Sequence, residues 1–127
     1  MRIAILHNDV TAESGLEDQD VLVQVQAVAA ALGELGHRGE SLGCTLDLES
    51  VRRWLAAAQP DCVFNLVEGL AGADSLSIVA PTLLEALGFP FTGNTAEATF
   101  LTAQKLVGKR WLRAAGLPTP DWIALDG

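Results

Sequence analysis

The chain has 127 residues, half of them hydrophobic and 19% charged, a balance that excludes a disordered polypeptide and suits one domain with a sizeable core. A net charge of −8 argues against a general nucleic-acid binder, and no apolar run approaches the ~18 residues of a membrane-spanning helix. Cys44 and Cys62 are isolated and share no metal-ligand spacing with His7 or His37. A reducing cytoplasm is therefore expected, with neither a disulfide framework nor a structural zinc site. The stretch from Met1 to His7 turns polar too early for a secretory leader.

Residues 3–6 form a short continuous apolar run that ends in His7-Asn8-Asp9, the pattern of a buried parallel strand followed by a loop. Over residues 20–35, apolar side chains at 21, 22, 25, 28, 29, 32 and 35 predict a helix with a wide apolar face, capped by Asp18 or Asp20 and stopped by Gly36. A weak second strand is expected over residues 40–42. Asp47 can cap a helix with apolar positions 48, 51, 55 and 58, which ends before Pro60. Cys62–Leu66 reads as a third buried strand, and Gly69 and Gly72 mark the loop after it. The next helix runs through Leu83, Leu84 and Leu87, with Pro81 near its first turn and Gly88 just past its end. Phe91-Thr92 is a short fourth strand that leads into Gly93-Asn94.

This alternation predicts an α/β fold: a doubly wound, Rossmann-like parallel sheet of about four strands, in the order 2-1-3-4, with right-handed crossovers. Ligands of such folds sit at the carboxyl ends of the strands. Those ends carry His7-Asn8-Asp9, Val67-Glu68-Gly69 and Thr92-Gly93-Asn94, residues that would equally suit ordinary polar loops. No Gly-x-Gly-x-x-Gly follows the first strand and no Walker-type loop occurs, which disfavours a dinucleotide or P-loop site.

Beyond Asn94 the pattern changes. Residues 95–115 read as helical with a break near Leu101-Thr102, where Thr102 can cap the second part, and Gly116 ends it. Leu117-Pro118-Thr119-Pro120 is a stiff linker, and residues 122–125 read as the start of another strand. That strand is expected to open a further domain, so the chain divides into an α/β unit over 1–94 and a connecting segment over 95–127. Charge follows the same division. Residues 1–97 carry four basic and fourteen acidic groups, whereas residues 98–120 carry Lys105, Lys109, Arg110 and Arg113 and no acid. The basic island is either a solvated helix face or an anion site.

Several stretches together resemble the amino-terminal part of the D-alanine–D-alanine ligase-like ATP-grasp family. They are Met1-Arg2-Ile3-Ala4-Ile5-Leu6, Asp61-Cys62-Val63-Phe64-Asn65-Leu66, the Leu83–Gly93 stretch containing Leu87-Gly88-Phe89-Pro90-Phe91-Thr92-Gly93, and Leu101 to Lys105 through Arg113-Ala114-Ala115-Gly116-Leu117-Pro118-Thr119-Pro120. The resemblance implies a pre-ATP-grasp domain followed by the start of a truncated ATP-grasp domain. It implies an enzyme that joins a carboxylate to an amine through an acyl-phosphate, with ATP and magnesium as cofactors in the full-length protein. The partner is then a small amino acid or carboxylate, and a homodimer is allowed. The magnesium ligands and most nucleotide contacts would lie beyond this sequence, so the chain alone is expected to be inactive, with no catalytic or metal-binding residue of its own.

Three positions carry over by resemblance. Lys105 matches a lysine that reaches nucleotide phosphate, a fitting use of a compact cation, although a surface lysine would look the same. Lys109 and Arg113 are read as structural or solvated. Glu13, in Val10-Thr11-Ala12-Glu13, matches a first-loop glutamate that orients the first amino-acid substrate; Asp9, Glu17 or Asp18 could serve instead. Glu68 stands where ligases that make D-alanyl-D-alanine have the histidine of a His-Gly pair, a departure that leaves the substrate open. The alternative is a stand-alone, non-catalytic binding or dimerisation module, with the helix over residues 20–35 packing on a twin. Trp54, Trp111 and Cys62 read as packing residues, and His7 as either a cleft residue or a hydrogen-bonded structural one.

Overall fold

The computed structural model describes residues 1–10 and 16–123, with side chains at 16–19 excluded. Its centre is β1 (Arg2–Asn8), flanked by β2 (Arg38–Cys44) and β3 (Cys62–Leu66) in a parallel three-stranded sheet of order β2-β1-β3. Arg2 pairs with Arg38 and Asn8 with Cys44 on one edge; Ile3 pairs with Cys62 and His7 with Leu66 on the other. Residues Ile3 to His7 are all buried. A strand covered on both faces reads as an unbroken apolar run, which is why β1 was legible.

The sheet is covered on both sides. Helix α1 (Leu16–Glu34) lies over one face, where Gly39 of β2 faces Ile5, Leu32 and Ala29. The helices α2 (Leu48–Ala58) and α3 (Val79–Leu87) lie over the other, where Val51, Leu55, Ala80 and Leu84 pack with Ala4, Leu6, Val63 and Val67. Two shorter helices follow, α4 (Ala96–Ala103) and α5 (Lys105–Ala114). A 3-10 turn at Asp74–Leu76 precedes α3.

Asp47 is the N-cap of α2, its carboxylate accepting from Ser50 N at 3.1 Å, and Gly88 closes α3 as expected. Within α2, Glu49 is gripped by Arg52 and Arg53 at 2.6 and 2.9 Å, and their guanidinium groups pull its carboxyl down to about 2. Trp54 is half-buried against the core.

Four expectations require correction. The sheet has three strands rather than four: Phe91 makes a single parallel bridge to Val63, through Val63 N to Pro90 O and Thr92 N to Val63 O. The chain passes the fourth-strand position beside β3 but leaves it at once through Gly93. The α1 helix begins at Leu16, so neither Asp18 nor Asp20 is its N-cap. Its packed stripe is narrower than the sequence implies, with Val25 buried but Leu22 exposed at 40%, and the helix ends before Leu35, which is exposed at 71%. Thr102 lies inside α4, donating to Ala98 O at 2.7 Å. The break falls at Gln104, whose extended backbone lets α5 fold onto α4, and Gly108 then sits so close that a Cβ there would stand 2.9 Å from Leu101 O. Last, Trp122 and Ile123 are outside any strand, and Ala124 and Leu125 of the expected fifth strand lie outside the described residues.

Leu55 is fully buried between α2 and the sheet. Leu55→Ala is expected to lower unfolding stability by about 2–5 kcal/mol, because the rigid sheet cannot collapse into the cavity. A chemical-denaturation series measures it.

Candidate functional site

Parallel strands bring the ends of β1, β2 and β3 to one edge, where the loops must diverge to reach helices on opposite faces. A cleft of about 540 Å³ opens there, lined by Asn8 and Asp9 after β1, Cys44-Thr45-Leu46 after β2, and the loop from Gly69 to Asp74. A smaller recess of about 210 Å³ adjoins it, lined by Val21 and Gln24 of α1 with Leu66, Glu68 and Asp74; Asn8 and Gly69 border both spaces.

Asn8 ties the two sides together. Its side-chain oxygen accepts from Glu68 N at 3.0 Å, joining the end of β1 to the loop after β3. The loop is shaped further by Asn65, whose side-chain oxygen accepts from Val67 N at 3.2 Å, and Asn65 N donates in turn to Thr92 Oγ1 at 3.1 Å. Leu70 and Ala73 exchange backbone hydrogen bonds across a two-residue hairpin turn with Ala71 at φ 51° and Gly72 at φ 73°. Both central residues are left-handed, as a tight primed turn requires, and Ala71 carries a Cβ where glycine is favoured. Gly69 lies against this hairpin: a Cβ there would approach Ala73 O to 2.9 Å.

The lining is acidic. Asp9 and Asp74 border the larger space and Glu68 and Asp74 the smaller, with no basic residue among the described residues of either lining. Such walls favour an ammonium group or hydroxyls over a phosphate. Cys44 is buried at 1% exposure, and desolvation pushes its thiol up to about 11, so it is a neutral wall residue and not a nucleophile. His7 is buried beside the cleft rather than in its lining, with Nδ1 donating to Asn8 O at 2.7 Å. Among the described residues no three His, Cys, Asp or Glu side chains gather as a metal site would require.

The basic residues lie elsewhere. Lys105 heads α5, is exposed, and borders neither space. Gln104 makes no side-chain cap, so the first N–H groups of α5 have no side-chain acceptor there. Along the same helix, Lys109 Nζ donates to Thr119 Oγ1 at 3.3 Å and to Pro120 O at 2.9 Å, and Arg113 pairs with Asp121 at 2.8 Å. Lys109 and Arg113 are thus structural, as read from the sequence, while Trp111 is 60% exposed and not a packing residue.

No family model matches the chain. It is 39% identical over 127 residues to a D-alanine–D-alanine ligase of Moorella thermoacetica, a match that takes in 100% of this chain and 38% of that protein. It superposes on the crystal structure of D-alanine–D-alanine ligase from Bacillus anthracis with a TM-score of 0.72 at 22% identity, over 97% of this chain and 37% of that one. The same enzyme complexed with ATP gives a TM-score of 0.68 at 23% identity. The match falls on the amino-terminal part of D-alanine–D-alanine ligases. It spans about 38% of the length of the curated relative.

Of the three sequence-predicted positions, the two that are described do not border a common space. Glu68 is exposed at the smaller recess and Lys105 stands apart on α5, while Glu13 lies outside the described residues. The expected contribution of Thr92-Gly93-Asn94 to the cleft is absent, since Thr92 is spent on holding Asn65 and none of the three borders either space. Sequence reasoning missed Cys44-Thr45-Leu46 and the Asn8 latch. The signal for the former was available: any parallel strand ends at the same edge as its neighbour, but β2 was too weakly patterned to place its end.

Three outcomes test this geometry. Ala71→Gly is expected to raise stability by about 0.5–1 kcal/mol, and Ala71→Val to lower it, in urea melts, because relief of the left-handed penalty outweighs the entropy that glycine adds to the unfolded chain. Cys44 should resist a thiol reagent at pH 8 while the half-buried Cys62 reacts. Because the fold holds the Cys44 thiol neutral, the stability this confers is full below the unfolded thiol's pKa of about 8.5 and is lost as pH rises toward about 11.

Proposed function

We propose that this chain is the substrate-side portion of an ATP-dependent carboxylate–amine ligase of the D-alanine–D-alanine type, with residues 1–94 as the pre-ATP-grasp unit and 95–127 as the connection to the nucleotide-binding part. The observation that carries the reading is the whole-chain similarity to D-alanine–D-alanine ligase at 39% identity. The site chemistry agrees with it. An acidic cleft at the strand ends suits the ammonium of an amino acid, with Glu68 at its recess and Glu13, between residues 10 and 16 of the sequence, as the carboxylates assigned to substrate.

Lys105 is the phosphate contact on this reading. It sits at the uncapped N-terminus of α5, where backbone N–H groups and the helix dipole favour an anion. ATP would supply the phosphoryl group that activates the carboxylate. Magnesium finds no ligand set among the described residues, and its ligands belong on this reading to the remaining length of the relatives. The chain by itself is then inactive. Among the described residues after 95, six large apolar side chains (Phe100, Leu106, Trp111, Leu112, Leu117 and Ile123) are exposed, a surface suited to cover by a nucleotide-binding part. A cytoplasmic setting fits the free thiols and the small-molecule substrates.

A second reading, a self-associating binding module, has one observation in its favour: α1 exposes Leu22 and Val23, and Leu35 just past its end is exposed too. The intact mass of the native protein in its source cells separates the two. A mass well above 13.4 kDa is expected for the ligase, whereas a mass near 13.4 kDa supports the module. In the longer, active form, Lys105→Ala should weaken MgATP binding about tenfold or more, the scale of one lost charge-assisted contact. Unchanged nucleotide affinity would remove the assignment of Lys105.

A further inference from the structure

Lys105, Lys109 and Arg113 recur every four residues along α5, a spacing that lines like charges on one stripe and by itself opposes the helix. After Gly116 the chain turns back and lies along that stripe. Lys109 holds Thr119 and Pro120 through its ammonium, Arg113 holds Asp121 through a 2.8 Å ion pair, and the Trp122 ring lies 4.1 Å from the Arg113 guanidinium and 5.5 Å from Lys109 Nζ. Two cations thereby engage four consecutive residues through three kinds of contact. Each is weak when exposed, but they share partners, and Pro118 and Pro120 reduce the chain entropy lost on docking.

We propose that Lys109 and Arg113 are positioning residues that clamp residues 119–122 to α5, so that the segment leaves the helix in a set direction and does not swing as a free tether. The proposal rests on this geometry alone and stands whether or not the chain serves a ligase.

Trp122 is the reporter. In ¹⁵N-labelled full chain, the indole N–H of Trp122 should show the heteronuclear relaxation of ordered backbone, while a Trp122 indole as mobile as that of an unstructured peptide would overturn the clamp with no substitution made. In a Trp54→Phe, Trp111→Phe background, Lys109→Met with Arg113→Met is expected to raise acrylamide quenching of Trp122 about twofold or more, and far-UV circular dichroism checks that α5 persists. Arg113→Lys, which keeps the charge but loses the planar stack, should restore only part of the protection, whereas Lys109→Arg should restore it fully when paired with native Arg113. Quenching that is unchanged in the double Met variant, with α5 intact, would overturn the proposal.

Discussion

The β1 strand is the one element of the sheet hydrogen-bonded along both edges, and its five buried residues face helices on both sides. Because its register with β2 and β3 is parallel, every connection must cross over a face of the sheet, and every strand must deliver its carboxyl end to the same edge. The covering helices and the position of the cleft both follow from that pairing. Alternation along β1 divides the work: Ala4 and Leu6 join the core under α2 and α3, while Ile5 faces α1 across Gly39.

At the cleft, polar side chains act on backbone before they can act on a ligand. Asn8 and Asn65 hold the loop after β3 by accepting from its N–H groups, and Thr92 holds Asn65. The strained Ala71 turn and the contact of Gly69 with Ala73 add steric limits to the same loop. The result is a shaped acidic recess, separated from the cations of α5. The clamp on the linker bears on the same division, since it engages Lys109 and Arg113 and leaves Lys105 at the open end of the helix.

Where sequence patterning carried a strong periodic or capping signal, it located the element. The β1 run, the Asp47 cap, Cys62–Leu66 and the Gly88 stop all lie where expected. The errors arose where local signals compete with packing. Thr102 resembles a cap by residue type, but its hydroxyl bonds back to Ala98 O within α4, and the break moved to Gln104 because Gly108 lets α5 close on Leu101. Leu22 and Leu35 fit the helical apolar spacing, yet both are exposed, and Leu35 lies past the end of α1 at Glu34.

The sequence by itself determined the α/β class, the parallel order around β1 and the likeness to the ligase family, because these depend on hydrophobic period, turn residues and motif order along the chain. Tertiary structure alone decided that Phe91 makes one bridge and not a strand, that Cys44 and Thr45 wall the cleft, and that Lys109 and Arg113 turn inward onto residues 119–122. Those outcomes depend on which surfaces meet in space, and a linear pattern holds no record of the partner a side chain will find.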